Sequence, residues 1–292
     1  MSMIGGAAFL GCSGALLYAG AVGAVVHEAI RPERRTIGWA LARGLPSEPT
    51  AWGLEAREWI FEHAGTRSPV WELGSADPAA PTCVVLHGFS RSRYDALSRL
   101  RPLLPHASRF LLPDLPGHGE STGRGTRLGS DEDAFLRTLA LEHTTGDILF
   151  VGHSLGATIA IHAGTDERVA RRLRGVLALA PYERLRTPLA ARLDLRAMPR
   201  GPLLGPVLAS LRALGVRERS TRASAAELRC PLAVVAGSID PVTPVAEARA
   251  IAERAPRSRF ELVARARHDD FESLGSEAVA ASMAWITHQP AR

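Results

Sequence analysis

The sequence predicts an α/β fold: a mostly parallel sheet covered by helices on both faces, with a small helical insertion late in the chain. Three observations carry that expectation. Short runs apolar at every position recur, as in V-V-L, F-L-L, I-L-F-V, V-L-A-L-A and L-A-V-V-A. Strands buried on both faces read this way, whereas a half-exposed sheet alternates apolar with polar. Helix-spaced segments separate several of these runs, the pattern of crossover connections between parallel strands. Finally, residues 184–229 break the alternation, being rich in Arg, Pro and Leu with no strand signal.

In chain order, residues 54–63 suggest a short helix and 69–73 a strand. Buried strands are expected at 83–86 and 109–113, the latter running into a Pro/Gly turn. A helix over 131–142 precedes a strand at 147–152, which passes straight into a helix over 154–163. Further strands are expected at 175–181, 232–237 and 260–263, with helices over 244–255 and 272–288. The expected division is an N-terminal hydrophobic segment (1–30), a leader and first part of the core (31–183), a helical cap (184–229) and the rest of the core (230–292).

Composition narrows the function classes. With 292 residues, 46% hydrophobic and 22% charged, the chain suits one α/β domain with an insertion and is not disordered. The formal charge is +5, and every basic residue is arginine. No basic block is interleaved with aromatics, which make up only 5%, so no nucleic-acid partner is expected. Cys12, Cys83 and Cys230 make no metal-ligand spacing, and no nucleotide-binding loop is visible; neither metal nor other cofactor is implied.

From Ile4 to Val26 no residue is charged. A helix rising 1.5 Å per residue over that length crosses a hydrocarbon core of about 30 Å, so a membrane anchor is expected. Arg31, Arg34 and Arg35 follow it, which places the body in the cytoplasm by the positive-inside tendency. A secretory signal peptide is the alternative, weakened because no Lys or Arg precedes the apolar run.

The motif that carries chemistry is G-H-S-L-G at 152–156, set between a strand run and a helix start. A serine hydroxyl is a weak nucleophile until a base accepts its proton. A sharp strand-to-helix turn exposes it beside the positive end of the helix. Ser154 is therefore the candidate nucleophile. His268, in A-R-H-D-D-F after the last strand, is the candidate base, while His153 reads as packing inside the turn. Asp240, directly after the 232–237 strand, is the candidate orienting acid, with Glu183 as its rival; Asp269 and Asp270 read as solvent-facing or helix-capping. The order Ser154, Asp240, His268 is that of one of the known triad arrangements. Backbone N–H donors for an oxyanion are expected at Leu155 and, in L-H-G-F-S, at Phe89.

With these residues the chain resembles the α/β-hydrolase superfamily, specifically its serine esterase/lipase-like members. The likeness covers about residues 70–290 and rests on L-H-G-F (86–89), D-L-P-G-H-G-E-S (114–121), G-H-S-L-G (152–156), G-S-I-D-P-V-T-P (237–244) and His268. The resemblance implies an α/β-hydrolase fold, the Ser154–His268–Asp240 triad, and residues 184–229 as a cap over an acyl pocket. It makes D-L-P-G-H-G-E-S a structural loop, so Asp114 and His118 receive no catalytic role. The expected activity is hydrolysis of a carboxylic ester, such as a lipid-derived monoester, by a membrane-tethered enzyme. Acyl transfer or thioester hydrolysis by the same triad is the alternative, and a non-catalytic binding protein of this fold a lesser one. Arg184, Arg186, Arg192, Arg196 and Arg200 read as a solvated face rather than as an attraction for an anionic surface.

Overall fold

The computed structural model describes residues 3–77 and 79–290, with side chains from residue 14 onward. Eight strands among these residues form one sheet: β1 (Ala56–His63), β2 (Thr66–Gly74), β3 (Thr82–Leu86), β4 (Arg109–Pro113), β5 (Ile148–His153), β6 (Leu173–Leu179), β7 (Leu232–Gly237) and β8 (Ser258–Val263). Their order is β1-β2-β4-β3-β5-β6-β7-β8. The β1–β2 and β2–β4 pairs are antiparallel and all others parallel. The helices are α1 (Met3–Ile30), α2 (Ile37–Ala42), α3 (Arg93–Ser98), α4 (Glu132–His143), α5 (Leu155–Ala163), α6 (Glu167–Ala170), α7 (Arg186–Leu195), α8 (Arg200–Ala213), α9 (Thr221–Glu227), α10 (Val245–Ala252) and α11 (Ser276–His288).

The apolar runs explain the two-sided core. Successive side chains of a strand point to opposite faces. Val84, Leu86, Phe150, Val176 and Val234 therefore pack with Phe135 of α4 and Ile159 of α5. Their neighbours Cys83, Val85, Leu149, Val151 and Val235 pack on the other face with Leu97 of α3 and Met283 of α11. Each such buried aliphatic or aromatic side chain contributes about 1.5–3 kcal/mol. From β3 the chain turns to β4 on one side, then crosses back to β5 on the other. A crevice opens at the carboxyl ends of strands flanking such a reversal. Phe89 and Ser154 both lie just beyond those ends.

One expectation is corrected and another finds no support. Residues 54–63 do not form a helix; 56–63 are β1, paired along its length with β2. The connection is Ala64-Gly65, with φ of 47° and 74°, the two-residue hairpin geometry that matches strand twist. As an edge strand β1 buries only Phe61 fully, so its apolar signal is faint.

The membrane anchor is not supported by the described residues. Among the described residues no helix is long and apolar enough to cross a membrane. The uncharged stretch is helical, but α1 continues through His27 and Glu28, and one face of its last turns, from Ala21 to Ile30, packs on protein. Val26 and Ala29 are buried in a cluster with Leu189 and Leu193 of α7 and Leu204 and Val207 of α8. The Tyr18 hydroxyl donates to the Pro202 carbonyl oxygen at 2.6 Å. Side chains of 4–13, including Cys12, lie outside the described residues. The arginines used to orient the anchor also act within the protein: Arg34 donates to the carbonyls of Gly119, Ser121 and Gly123.

Candidate active site

Ser154 sits between β5 and α5 at φ 51°, ψ −111°. An L-residue adopts such a conformation only when its surroundings enforce it. Here the Ser154 N–H is tied to the Leu179 carbonyl of β6 at 2.8 Å. The flanking glycines are steric necessities. A Cβ on Gly152 would lie 2.2 Å from the Gly156 carbonyl oxygen, and one on Gly156 2.6 Å from the His87 carbonyl oxygen.

His268 and Asp240 arrive from the loops after β8 and β7. His268 Nδ1 lies 2.8 Å from Asp240 Oδ2, and the Asp240 side chain is fully buried. Asp240 is held by more than the imidazole. Its Oδ1 accepts the N–H groups of Val242 (2.7 Å) and Thr243 (3.0 Å), and Oδ2 accepts the Thr243 hydroxyl at 2.7 Å. Burial works to raise its pKa, but the hydrogen bond and attraction to His268 and the Thr243 donors outweigh it, leaving the carboxyl below its ordinary range. Thr243 went unremarked in the sequence. An Asp whose carboxylate meets the N–H two and three residues on is an Asx-type turn, and D-P-V-T is such a segment.

The structure separates the rivals. Glu183 accepts from the Ser220 hydroxyl (2.6 Å) and the Arg222 N–H (2.9 Å), securing the start of α9. Asp270 takes the Arg267 N–H. Asp269, expected to face solvent or cap a helix, keeps 45% of its side chain exposed and also pairs with Arg91 at the edge of the cavity beside His268.

Ser154, His268, Phe89 and Leu155 line one cavity of about 360 Å³, closed on other sides by Leu185 and Leu189. Neither the Phe89 nor the Leu155 N–H has a protein acceptor among the described residues. The Ser154 hydroxyl likewise makes no protein hydrogen bond among them; catalytic contacts of unliganded sites commonly tighten only on binding.

The remaining histidines support the loops. His153 Nε2 lies 2.8 Å from the His268 carbonyl oxygen. Burial, then Arg99 and His268 nearby, push its pKa down to about 3, so a neutral ring donates that bond. His87 Nε2 accepts the Leu115 N–H at 2.9 Å, so its Nδ1–H donates to the Gly88 carbonyl at 2.8 Å. This ties the loops after β3 and β4 together. In D-L-P-G-H-G-E-S, Asp114 is fully buried and accepts from the Arg93 N–H (2.7 Å), the Arg93 guanidinium and the Glu120 N–H (2.8 Å). Among the described residues no cluster of His, Cys, Asp or Glu could hold a metal ion.

The sequence model of the alpha/beta hydrolase family matches residues 83–284. Among curated proteins, the magnesium-chelatase 30 kDa subunit of Rhodobacter capsulatus is 31% identical over 123 residues, covering 39% of this chain and 42% of that protein. Pimeloyl-[acyl-carrier protein] methyl ester esterase of Aromatoleum aromaticum is 37% identical over 81 residues, covering 28% and 30%. The chain thus spans less than half the length of these curated relatives. Among solved structures, an esterase of Pyrococcus furiosus superposes with a TM-score of 0.65 at 19% identity, over 82% of this chain and 92% of that one. A membrane phospholipase A superposes with a TM-score of 0.63 at 15% identity, over 98% and 99%.

Proposed function

Because the chain belongs to the alpha/beta hydrolase family, we propose that it is a serine hydrolase cleaving carboxylic esters with Ser154, His268 and Asp240. The observation that carries this reading is the buried Asp240–His268 pair opening onto the same cavity as a serine at a strained, glycine-flanked turn.

In this mechanism the Ser154 hydroxyl oxygen attacks the ester carbonyl carbon while His268 Nε2 takes its proton. Asp240 accepts from Nδ1–H, fixing the tautomer and balancing the imidazolium charge. The carbonyl oxygen, now an oxyanion, receives the N–H groups of Leu155 and Phe89; losing one such donor costs about 10²–10³ in rate. Collapse expels the alcohol, which takes the proton from His268. Water then attacks the acyl-enzyme carbonyl and passes a proton to His268, which returns it to the Ser154 oxygen as the acid leaves. A methyl ester esterase among the partial relatives and an esterase among the structural neighbours support this substrate class.

The test is active-site labelling with a fluorophosphonate and turnover of p-nitrophenyl esters. Wild type should label and turn over, and Ser154→Ala should do neither. Folded wild type that neither labels nor turns over would defeat the reading.

A further inference from the structure

The cavity holds one arginine whose charge is left without a partner among the described residues. Four arginines line it, Arg35, Arg91, Arg192 and Arg196, with three carboxylates, Glu28, Glu33 and Asp269. Most of these charges are matched. Asp269 pairs with Arg91, which also approaches Asp95 at 3.8 Å. Glu28 pairs with Arg196 and lies 3.7 Å from Arg192. Two of the five arginines read as a solvated face thus line the cavity.

Arg35 is different. Its Nε and Nη1 are buried and have no hydrogen-bond acceptor among the described residues. Glu33, two residues away, offers no ion pair; its backbone carbonyl accepts the Ser90 hydroxyl. Leaving buried donors unmatched is unfavourable, and more so when the group is charged.

Two features hold this guanidinium in place. Its carbon lies 4.6 Å from the Trp39 ring centroid, a ring that also meets Arg43 at 5.0 Å and Arg91 at 5.6 Å. The adjacent Arg34 is anchored on three carbonyls of the 119–123 loop. Arg192 supplies a second cation, stacked 4.0 Å from the ring centroid of Phe89, whose N–H is a proposed oxyanion donor. Nε and Nη1 of Arg35 are shut off from solvent, so the remaining guanidinium nitrogen, Nη2, is the donor open to a carboxylate or phosphate oxygen in the cavity.

We propose that Arg35, assisted by Arg192, forms an anion subsite in the cavity, and that preferred substrates are esters carrying a carboxylate or phosphate-like group away from the scissile carbonyl. The inference rests on the hydrolase reading for its substrate class, but the subsite can be measured without turnover.

The turnover arm compares kcat/KM for mono-p-nitrophenyl adipate, a phosphonate-bearing p-nitrophenyl hexanoate, and neutral p-nitrophenyl hexanoate. At least one anionic ester should be favoured tenfold or more, and which one identifies the anion. Arg35→Gln should bring that ratio close to one, and Arg35→Lys should retain part of it. The binding arm measures adipate and phosphate by calorimetry on Ser154→Ala with and without Arg35→Gln, each first shown folded by thermal melting. The same anion should bind at least tenfold more weakly without Arg35. If Arg35→Gln fails to fold, Arg35→Lys and the wild-type ratio still decide. Equal affinity with and without Arg35, or neutral ester turnover with no anionic preference, overturns the subsite and leaves the hydrolase reading intact. Arg35-dependent binding without cleavage of any ester overturns the hydrolase reading and keeps the subsite.

Discussion

Replacing Asp240 by Asn probes the proposed machinery most directly, because the structure says which contact fails. Asp240 accepts four hydrogen bonds: two backbone N–H groups at Oδ1, and the Thr243 hydroxyl and His268 Nδ1 at Oδ2. Asparagine has one acceptor oxygen. The Val242 and Thr243 N–H groups are fixed by the backbone and claim it, so the amide NH2 lands opposite His268 Nδ1–H. Two donors then face each other. The imidazole relieves this by moving its proton to Nε2, the tautomer unable to take a proton from Ser154. The lost hydrogen bond to a charged group is worth about 1.5–3 kcal/mol. The tautomer error raises the total: comparable triads lose about 10⁴ in kcat, or about 5.4 kcal/mol at 1.36 kcal/mol per tenfold. The assay is kcat and KM for a p-nitrophenyl ester, with thermal melting to show that the variant is folded. KM should change little, since Asp240 does not reach the substrate. A folded Asp240→Asn protein with kcat within about tenfold of wild type would refute the assignment.

Gly156→Ala places a Cβ 2.6 Å from the His87 carbonyl and 2.8 Å from the Leu86 Cβ. Such overpacking costs about 1–3 kcal/mol or more, so the melting temperature should drop by several degrees and labelling of Ser154 should weaken; unchanged melting and labelling would show that the turn tolerates a side chain. Stability should also fall in mild acid. Burial, the largest influence on each, pushes His118, His153 and His162 down to about 3. Their folded values lie below the unfolded value near 6.5, so the unfolded chain binds more protons below that pH. The stability they contribute is complete above about pH 6.5 and is lost as pH falls toward 3, by up to about 1.4 kcal/mol per pH unit for each ring. Asp240, also held low, adds its loss only below about pH 4. Urea unfolding at pH 7.5, 6.5, 5.5 and 4.5 checks this, and a constant unfolding free energy across that range would contradict it.

What could be read from the sequence was local in origin. Strands β3 to β7 announce themselves because a strand buried on both faces must be apolar throughout, whatever its partners. The Ser154 turn shows itself because a Cβ on Gly152 or Gly156 would lie 2.2 or 2.6 Å from another backbone oxygen, so the steric demand is written in residue type. Asp240 and His268 were identifiable by their position after strands, since a parallel sheet collects those loops at one end. Strand β1 was misread because an edge strand buries little and carries charges among its apolar residues. That Arg192 and Asp269 line a cavity was not legible, because the chain does not reveal which loops converge on it.

The N-terminal helix marks the boundary most plainly. Its uncharged stretch demands an apolar covering, and that demand is the same whether lipid or protein answers it. In the described residues Leu189, Leu193, Leu204 and Val207 meet its C-terminal half, and Glu28 faces Arg192 and Arg196 across the chain. The sequence by itself determined the strands buried on both faces, the strained serine and the order of its candidate partners, because each follows from neighbours along the chain. The partner of α1, the fourfold clasp on Asp240 and the unmatched fork of Arg35 depend on groups distant in sequence, and only the folded chain brings those together.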